Sequence, residues 1–276
     1  MYWHRIKNFL KYYFRATTRY DVHSPAVFAL LNDLYRPLDK STATNISYYK
    51  NKLYNLNLSI ENIDKGAGSS ITQNQKTINL RSILRNAVSP NQKLALLHQI
   101  SSHFKSKRVL ELGTSLGFSA LALTHPSVEK LTTVEGNPHI AELARQMFDE
   151  LQIKVIDSRV GDFMEVILSL TDQNFRPDLI YIDGNHTYEA TMTYHRFFLK
   201  HYSFAPIVLI YDDLYWSPGM TKAWQEIKSD HQTIMSIDLY SIGLVFINKN
   251  YTAKQHFTLI NHKFKPWRMG FFPKDQ

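Results

Sequence analysis

Cysteine is absent from all 276 residues. That excludes disulfides and every zinc site built on thiolates. No uninterrupted apolar run reaches about 18 residues, so no transmembrane helix is expected. No secretory leader is expected either. The first twenty residues, MYWHRIKNFLKYYFRATTRY, interleave charges with aromatics and lack a continuous apolar stretch. The expected location is therefore cytoplasmic, and triplets such as Asn185-His186-Thr187 are then incidental. No internal repeat and no low-complexity segment is evident.

What is present suits a globular protein: 44% hydrophobic and 20% charged residues. The formal net charge is +8. Such an excess fits a nucleic-acid partner, an acidic substrate, an anionic surface, or simply a solvated basic face. It is unevenly spread. Residues 1–20 carry Arg5, Lys7, Lys11, Arg15 and Arg19 and no acid, and the tail 251–276 is basic and aromatic.

Trp3, Ile6, Leu10, Tyr13 and Phe14 recur at three- to four-residue spacing, which predicts a helix at the start of the chain. Ser24 and Pro25 fit the N-cap and first position of a second helix, which Pro37 ends. Residues 39–80 are polar and read as a loop-rich connection with room for one short helix, including Gly66–Ser70. Residues 90–104 read as a helix. Beyond them, apolar runs at 108–112, 131–135, 153–156, 178–182, 206–211 and 242–247 read as strands. Helical patterns at 117–125, 138–151, 163–171, 187–201 and 219–229 separate most of them. This alternation predicts an α/β fold, a Rossmann-like doubly wound, mostly parallel seven-stranded sheet with helices on both faces and an N-terminal helical extension. The expected divisions are 1–85 (extension, a cap or an oligomer contact such as a homodimer's), 86–250 (core) and 251–276 (tail).

Ligands of such sheets bind beyond the carboxyl ends of the strands. Those ends read Glu111-Leu112-Gly113-Thr114-Ser115-Leu116-Gly117-Phe118-Ser119, then Glu135-Gly136-Asn137-Pro138, Gly161-Asp162, Asp183-Gly184-Asn185-His186 and Asp212-Asp213. Glycine in the first turn permits positive φ and close approach of a ligand to the main chain. Glu135, about 20 residues on, is placed to accept from both hydroxyls of a ribose. The G-x-x-x-G spacing disfavours a nicotinamide site.

Taken in order over roughly residues 90–248, these motifs resemble the class I S-adenosylmethionine-dependent methyltransferases, and among them the catechol-type O-methyltransferases. The resemblance implies S-adenosylmethionine as cofactor. It implies contacts from Glu111, Gly113, Thr114, Gly117, Ser119, Glu135, Gly136, Asp162 and Asp183: the Gly pair, Glu111 and Ser119 at the methionine end, Glu135 at the ribose, Asp162 at the adenine. It also implies His186 as general base, with Asp183 beside it in the catalytic set. Metal-dependent relatives suggest Asp183, Asp212 and Asp213 as ligands of Mg²⁺ or another divalent cation. Asp213, however, stands where an amide is typical. For Glu111 and Asp162, capping or loop hydrogen bonding is the plain alternative. Tyr188, Tyr215, Trp216, Met220 and Trp224 would wall an acceptor pocket or simply pack. The leading expectation is O-methylation of a small hydroxylated acceptor. An RNA acceptor is the competing reading and is not favoured, although Tyr2, Trp3, Tyr12 and Tyr13 among basic residues suit base stacking. A non-catalytic cofactor-binding protein of the same fold is the third.

Overall fold

A computed structural model of the chain describes residues 2–61, 63, 76–86, 88–203, 205–247 and 254–268. The Gly66–Ser70 stretch lies outside them. The chain forms two compact units, one of residues 37–185 and one of residues 1–36 with 186–276. This grouping differs from the divisions expected at 85 and 250.

The discontinuous unit begins with α1 (Tyr2–Arg15) and α2 (Pro25–Leu34). Ser24 stands at the N-cap of α2 as expected, but its side chain makes no capping bond. Pro25 opens the helix with its φ already set and no N–H to leave unpaired.

In the contiguous unit, α3 (Lys40–Asn55) replaces the loop expected from a polar sequence. Asp39 Oδ1 accepts from Thr42 N at 3.0 Å and starts the helix. Ile46, Tyr49 and Leu53 bury one narrow stripe, too thin to stand out among the Asn, Ser and Lys around it. Strands β1 (Ser59–Glu61) and β2 (Thr77–Asn79) pair antiparallel. Helices α4 (Leu80–Asn86) and α5 (Asn91–His103) follow, and α5 buries Leu94, Leu97 and Ile100 completely. Then come β3 (Arg108–Leu112), α6 (Phe118–Leu123), β4 (Lys130–Glu135), α7 (Pro138–Glu150), β5 (Ile156–Val160), α8 (Phe163–Asp172) and β6 (Leu179–Ile182). Their order is β6-β3-β4-β5, all parallel. The apolar run at 153–156 misplaces β5, which starts only at Ile156. As an edge strand with half-exposed residues it tolerates Asp157, Ser158 and Arg159.

The discontinuous unit resumes with α9 (Tyr188–Tyr202), β7 (Ile207–Asp212), α10 (Pro218–Ser229), β8 (Thr233–Asp238), β9 (Ile242–Ile247) and β10 (Gln255–Thr258). Its order is β10-β8-β9-β7. Strand β9 runs antiparallel to both neighbours, whereas β10 lies parallel to β8. The six runs read as strands correspond to β3, β4, β5, β6, β7 and β9, whereas β8 and β10 stand where no strand was expected. The α/β, Rossmann-like reading of the sequence holds. Among the described residues no helix is long and apolar enough to cross a membrane.

The two ends of the chain meet in this unit. Thr17 pairs with Leu259. The Tyr12 hydroxyl donates to the Leu259 carbonyl. Lys265, buried, donates from Nζ to the Ala16 carbonyl at 2.8 Å and lies 4.8 Å from the Tyr13 ring. A cation at the carboxyl end of α1 also complements the helix dipole.

Trp224 is the largest fully buried side chain and lies across Gly243 of β9. A Cβ at 243 would meet its ring at 2.6 Å. Gly243→Ala is therefore expected to lower stability by about 1–3 kcal/mol through overpacking. Urea denaturation monitored by circular dichroism checks this, and an unchanged midpoint would contradict it.

Candidate functional site

Strand β3 lies between β4 and β6, and its apolar residues Val109, Leu110 and Leu112 are fully buried. It ends in a tight turn. Gly113 has φ +107°, and a Cβ there would sit 2.0 Å from the Asp183 carbonyl oxygen. Only glycine fits. Gly117, at φ +82°, is the left-handed residue that begins α6, and a Cβ there would meet the Phe148 ring at 2.7 Å.

The donors of this turn point largely at the end of β4. The N–H groups of Gly113 and Thr114 both donate to the Val134 carbonyl, at 2.9 and 3.1 Å. Ser115 N donates to Glu135 Oε2 at 2.8 Å, and Asn137 N donates to Glu135 Oε1 at 3.0 Å. The Glu135 carboxylate is thus held in one orientation by two backbone groups on either side of it. Gly136 lies in the intervening bend, and Asn137 caps α7 through bonds from His139 N and Ile140 N.

Glu111 sits one layer deeper. It is fully buried, and its Oε2 accepts from Thr133 Oγ1 at 2.5 Å, which in turn bonds Thr114 Oγ1 at 2.5 Å. Burial is the main reason its pKa is pushed up to about 8. Hydrogen bonds from Thr133 and Ser119 oppose the rise, and the Asp183 and Glu135 charges add to it. At neutral pH this carboxyl carries its proton. Thr114 is fully buried. Ser119 lies in the first turn of α6 and is almost completely buried.

Asp162 is the N-cap of α8. Its Oδ1 accepts from Met164 N at 2.8 Å and Glu165 N at 3.2 Å. The capping alternative is therefore satisfied. Asp183 follows β6. Its N–H donates to the Leu112 carbonyl at 2.8 Å, and its Oδ2 accepts from the Tyr181 hydroxyl at 2.9 Å. Tyr181 and Thr133 were not singled out by sequence. Both lie inside apolar strands, where nothing in the pattern separates a polar side chain that positions an acid from one that only packs.

The remaining residues belong to the other unit. His186 directly precedes Thr187, whose Oγ1 caps α9 by accepting from Ala190 N at 3.3 Å. Asp212 ends β7 and is 2% exposed. Asp213 has φ +50°, and its N–H donates to the Ser241 carbonyl at 2.8 Å. Among the described residues, no group of three or more His, Asp or Glu side chains is arranged to hold a metal ion.

The aromatic residues expected near the acceptor resolve mostly into packing. Trp224 and Met220 are buried. Trp224 Nε1 donates to Asp238 Oδ2 at 3.1 Å, and the Tyr215 hydroxyl donates to the same oxygen. The Tyr188 hydroxyl donates to Glu226 at 2.7 Å, and the Arg5 guanidinium lies 4.8 Å from the Trp216 ring centroid. Asp238, not suspected from sequence, is the buried acceptor that organises this loop.

Comparison with known proteins agrees with this geometry. A family model described as O-methyltransferase matches residues 71–253. Among solved structures, the O-methyltransferase TomG from Streptomyces achromogenes, involved in tomaymycin synthesis and solved with S-adenosylmethionine, is 17% identical. Its TM-score is 0.52 over 61% of this chain and 85% of its own. The O-methyltransferase from Bacillus cereus, solved with S-adenosylhomocysteine, is 15% identical, with a TM-score of 0.51 over 80% of this chain and 96% of its own. At these identities the structural likeness speaks to the fold. No curated protein matches the chain by sequence.

The raised Glu111 pKa has a thermodynamic signature. Between about pH 4.5 and 8 the unfolded chain has ionised this carboxyl and the folded chain has not. The folded state then binds more protons, so Glu111 lowers stability progressively as pH rises through that window, by up to about 1.4 kcal/mol per unit. Below it the effect vanishes, and above it the loss is complete. The stability of Glu111→Gln relative to the parent should therefore climb between pH 5 and pH 8 in urea titrations. A difference that stays flat across that range would mean an ionised Glu111 in the fold.

Proposed function

The chain belongs to the O-methyltransferase family, and on that footing we propose that it transfers the methyl group of S-adenosylmethionine to a hydroxyl of a small acceptor. The observation that carries the cofactor half is the Glu135 carboxylate, fixed by Ser115 N and Asn137 N at the end of β4. A carboxylate has about four acceptor sites, so one oriented by two backbone donors keeps capacity for a pair of ribose hydroxyls. Gly113 and Gly117, without side chains, leave the backbone at both ends of the turn open to close approach. Ser119 and the protonated Glu111 line the methionine end, and Asp183, oriented by Tyr181, stands at the next strand end. The adenine role of Asp162 rests on its second oxygen, because Oδ1 serves the α8 cap.

The bound cofactor supplies an already activated methyl group on a sulfonium. The chain's own work is to bring an acceptor oxygen into line and to exclude misaligned approaches. An acceptor hydroxyl also has to lose a proton. His186, on the segment leaving β6, is the base in this reading, since an ordinary imidazole accepts a proton near neutrality. In a metal-assisted form of this reading Asp183, Asp212 and Asp213 would hold Mg²⁺ or another divalent cation, which would lower the pKa of the acceptor hydroxyl, and no step is routed through it.

Two experiments test the reading. Glu135→Ala should weaken S-adenosylmethionine binding about 10- to 100-fold in calorimetry, the effect of losing one or two hydrogen bonds to a charged group. Unchanged affinity would remove Glu135 from the ribose. Labelled methyl from S-adenosylmethionine should reach members of a panel of small phenols and alcohols. His186→Ala should lower that turnover about 10²- to 10⁴-fold without altering cofactor affinity. Transfer to bulk tRNA with none to the panel would overturn the small-acceptor assignment.

A further inference from the structure

Helix α1 has two apolar faces, and its own unit covers only one. On the covered side, Phe9 and Tyr12 pack against Tyr240 with ring centroids 5.1 and 5.3 Å apart. His4 Nε2 lies 2.9 Å from Thr221 Oγ1, and the Tyr13 hydroxyl donates to the Phe264 carbonyl at 3.0 Å. On the other side Trp3 is 80% exposed, Phe14 74% and Leu10 49%. These three and Ile6 line one shallow groove, bordered by Lys7, Lys11 and Arg15. At 3.6 residues per turn the four apolar residues fall within an arc of about 80°, and Lys7 and Lys11 fill the next 60° or so. Tyr2–Arg15 contains no acid at all.

We propose that this face of α1 docks the protein on an anionic lipid surface. Trp3, Leu10 and Phe14 enter the headgroup boundary, and Lys7, Lys11 and Arg15 meet the phosphates. Aromatic and aliphatic side chains on one side of a helix, flanked by lysine and arginine, are the pattern of a helix that lies in the membrane plane. Fourteen residues are too few to span a bilayer. A second copy of the chain is the poorer occupant, because it would bring the same cations against Lys7, Lys11 and Arg15. Single-stranded RNA fits less well too. Bases stack on rings, whereas Ile6 and Leu10 place aliphatic groups between the two rings of this stripe. The helix is also ordered in advance, with Lys265 closing its carboxyl end on Ala16, so docking needs no folding step.

The test uses the full chain and sedimentation with vesicles of mixed phosphatidylglycerol and phosphatidylcholine, beside vesicles of phosphatidylcholine alone. Binding is expected to the mixed vesicles, to weaken with salt, and to be at least tenfold weaker on neutral ones. Leu10→Glu, Phe14→Ser and the double change Lys7→Glu with Lys11→Glu should each weaken it about tenfold or more while the circular dichroism spectrum stays the same. Brominated lipids should quench tryptophan fluorescence in the parent and much less in Trp3→Phe. The proposal fails if the parent does not sediment with anionic vesicles, or if these variants bind as the parent does. It fails equally if they instead abolish self-association in ultracentrifugation or binding of an RNA oligomer, with no vesicle binding to lose. None of these readouts depends on methyl transfer.

Discussion

The α-carbon of Gly113 and the carbonyl of Asp183 share a space in which no side chain fits. This contact brings the ends of β3 and β6 together, with Asp183 N donating back to Leu112 O. From it the rest of the site follows. The chain leaving β3 must bend at once toward β4, where Gly113 and Thr114 find the Val134 carbonyl and Ser115 finds Glu135. A methyl group at 113 would push the turn off β6 and so withdraw the donor that orients the Glu135 carboxylate. The steric requirement at one residue thus governs the electrostatics at another twenty-two positions along.

Beneath that turn the protein maintains a buried line of Thr114, Thr133 and Glu111. An ionised carboxylate at this depth would be costly, and two further acids nearby increase the cost. Keeping the proton resolves the conflict. It also leaves Glu111 able to donate as well as accept. The outer acid and the inner one therefore differ in kind. Glu135 is held by backbone donors, whereas Glu111 is held by side-chain hydroxyls in a dry setting.

Much of this was legible in the sequence. The strand-to-helix alternation located β3, β4, β6, β7 and β9, because strands buried on both faces are nearly continuous apolar runs. The same logic failed at β5, a half-exposed edge strand whose Asp157, Ser158 and Arg159 break the run. It failed at β10, an edge strand with exposed polar residues, at β8, a mostly buried strand whose Thr233, Ser236 and Asp238 break the apolar run, and at α3, where three buried residues in sixteen carry the whole amphipathic signal. At the candidate site, the strand-end order of the sequence located the turn at Gly113 and the acids at the ends of β3, β4 and β6, but not the buried threonine chain that links Thr114 to Glu111. Asp238 was missed because its role depends on Trp224 and Tyr215 converging on it from other elements.

The meeting of Thr17 with Leu259, and of Ala16 with Lys265, has a consequence in time. During synthesis, residues 37–185 leave the ribosome as a continuous stretch and can fold as a unit. Helix α1, made before them, meets Thr221, Tyr240, Leu259, Phe264 and Lys265 only once those later residues have emerged. Throughout elongation Phe9, Tyr12 and Tyr13 therefore wait for Tyr240 and Phe264, with sticky aromatic surface open to chaperones or to premature contacts. Residues 259–265, made late, fasten residues 12–17, made early.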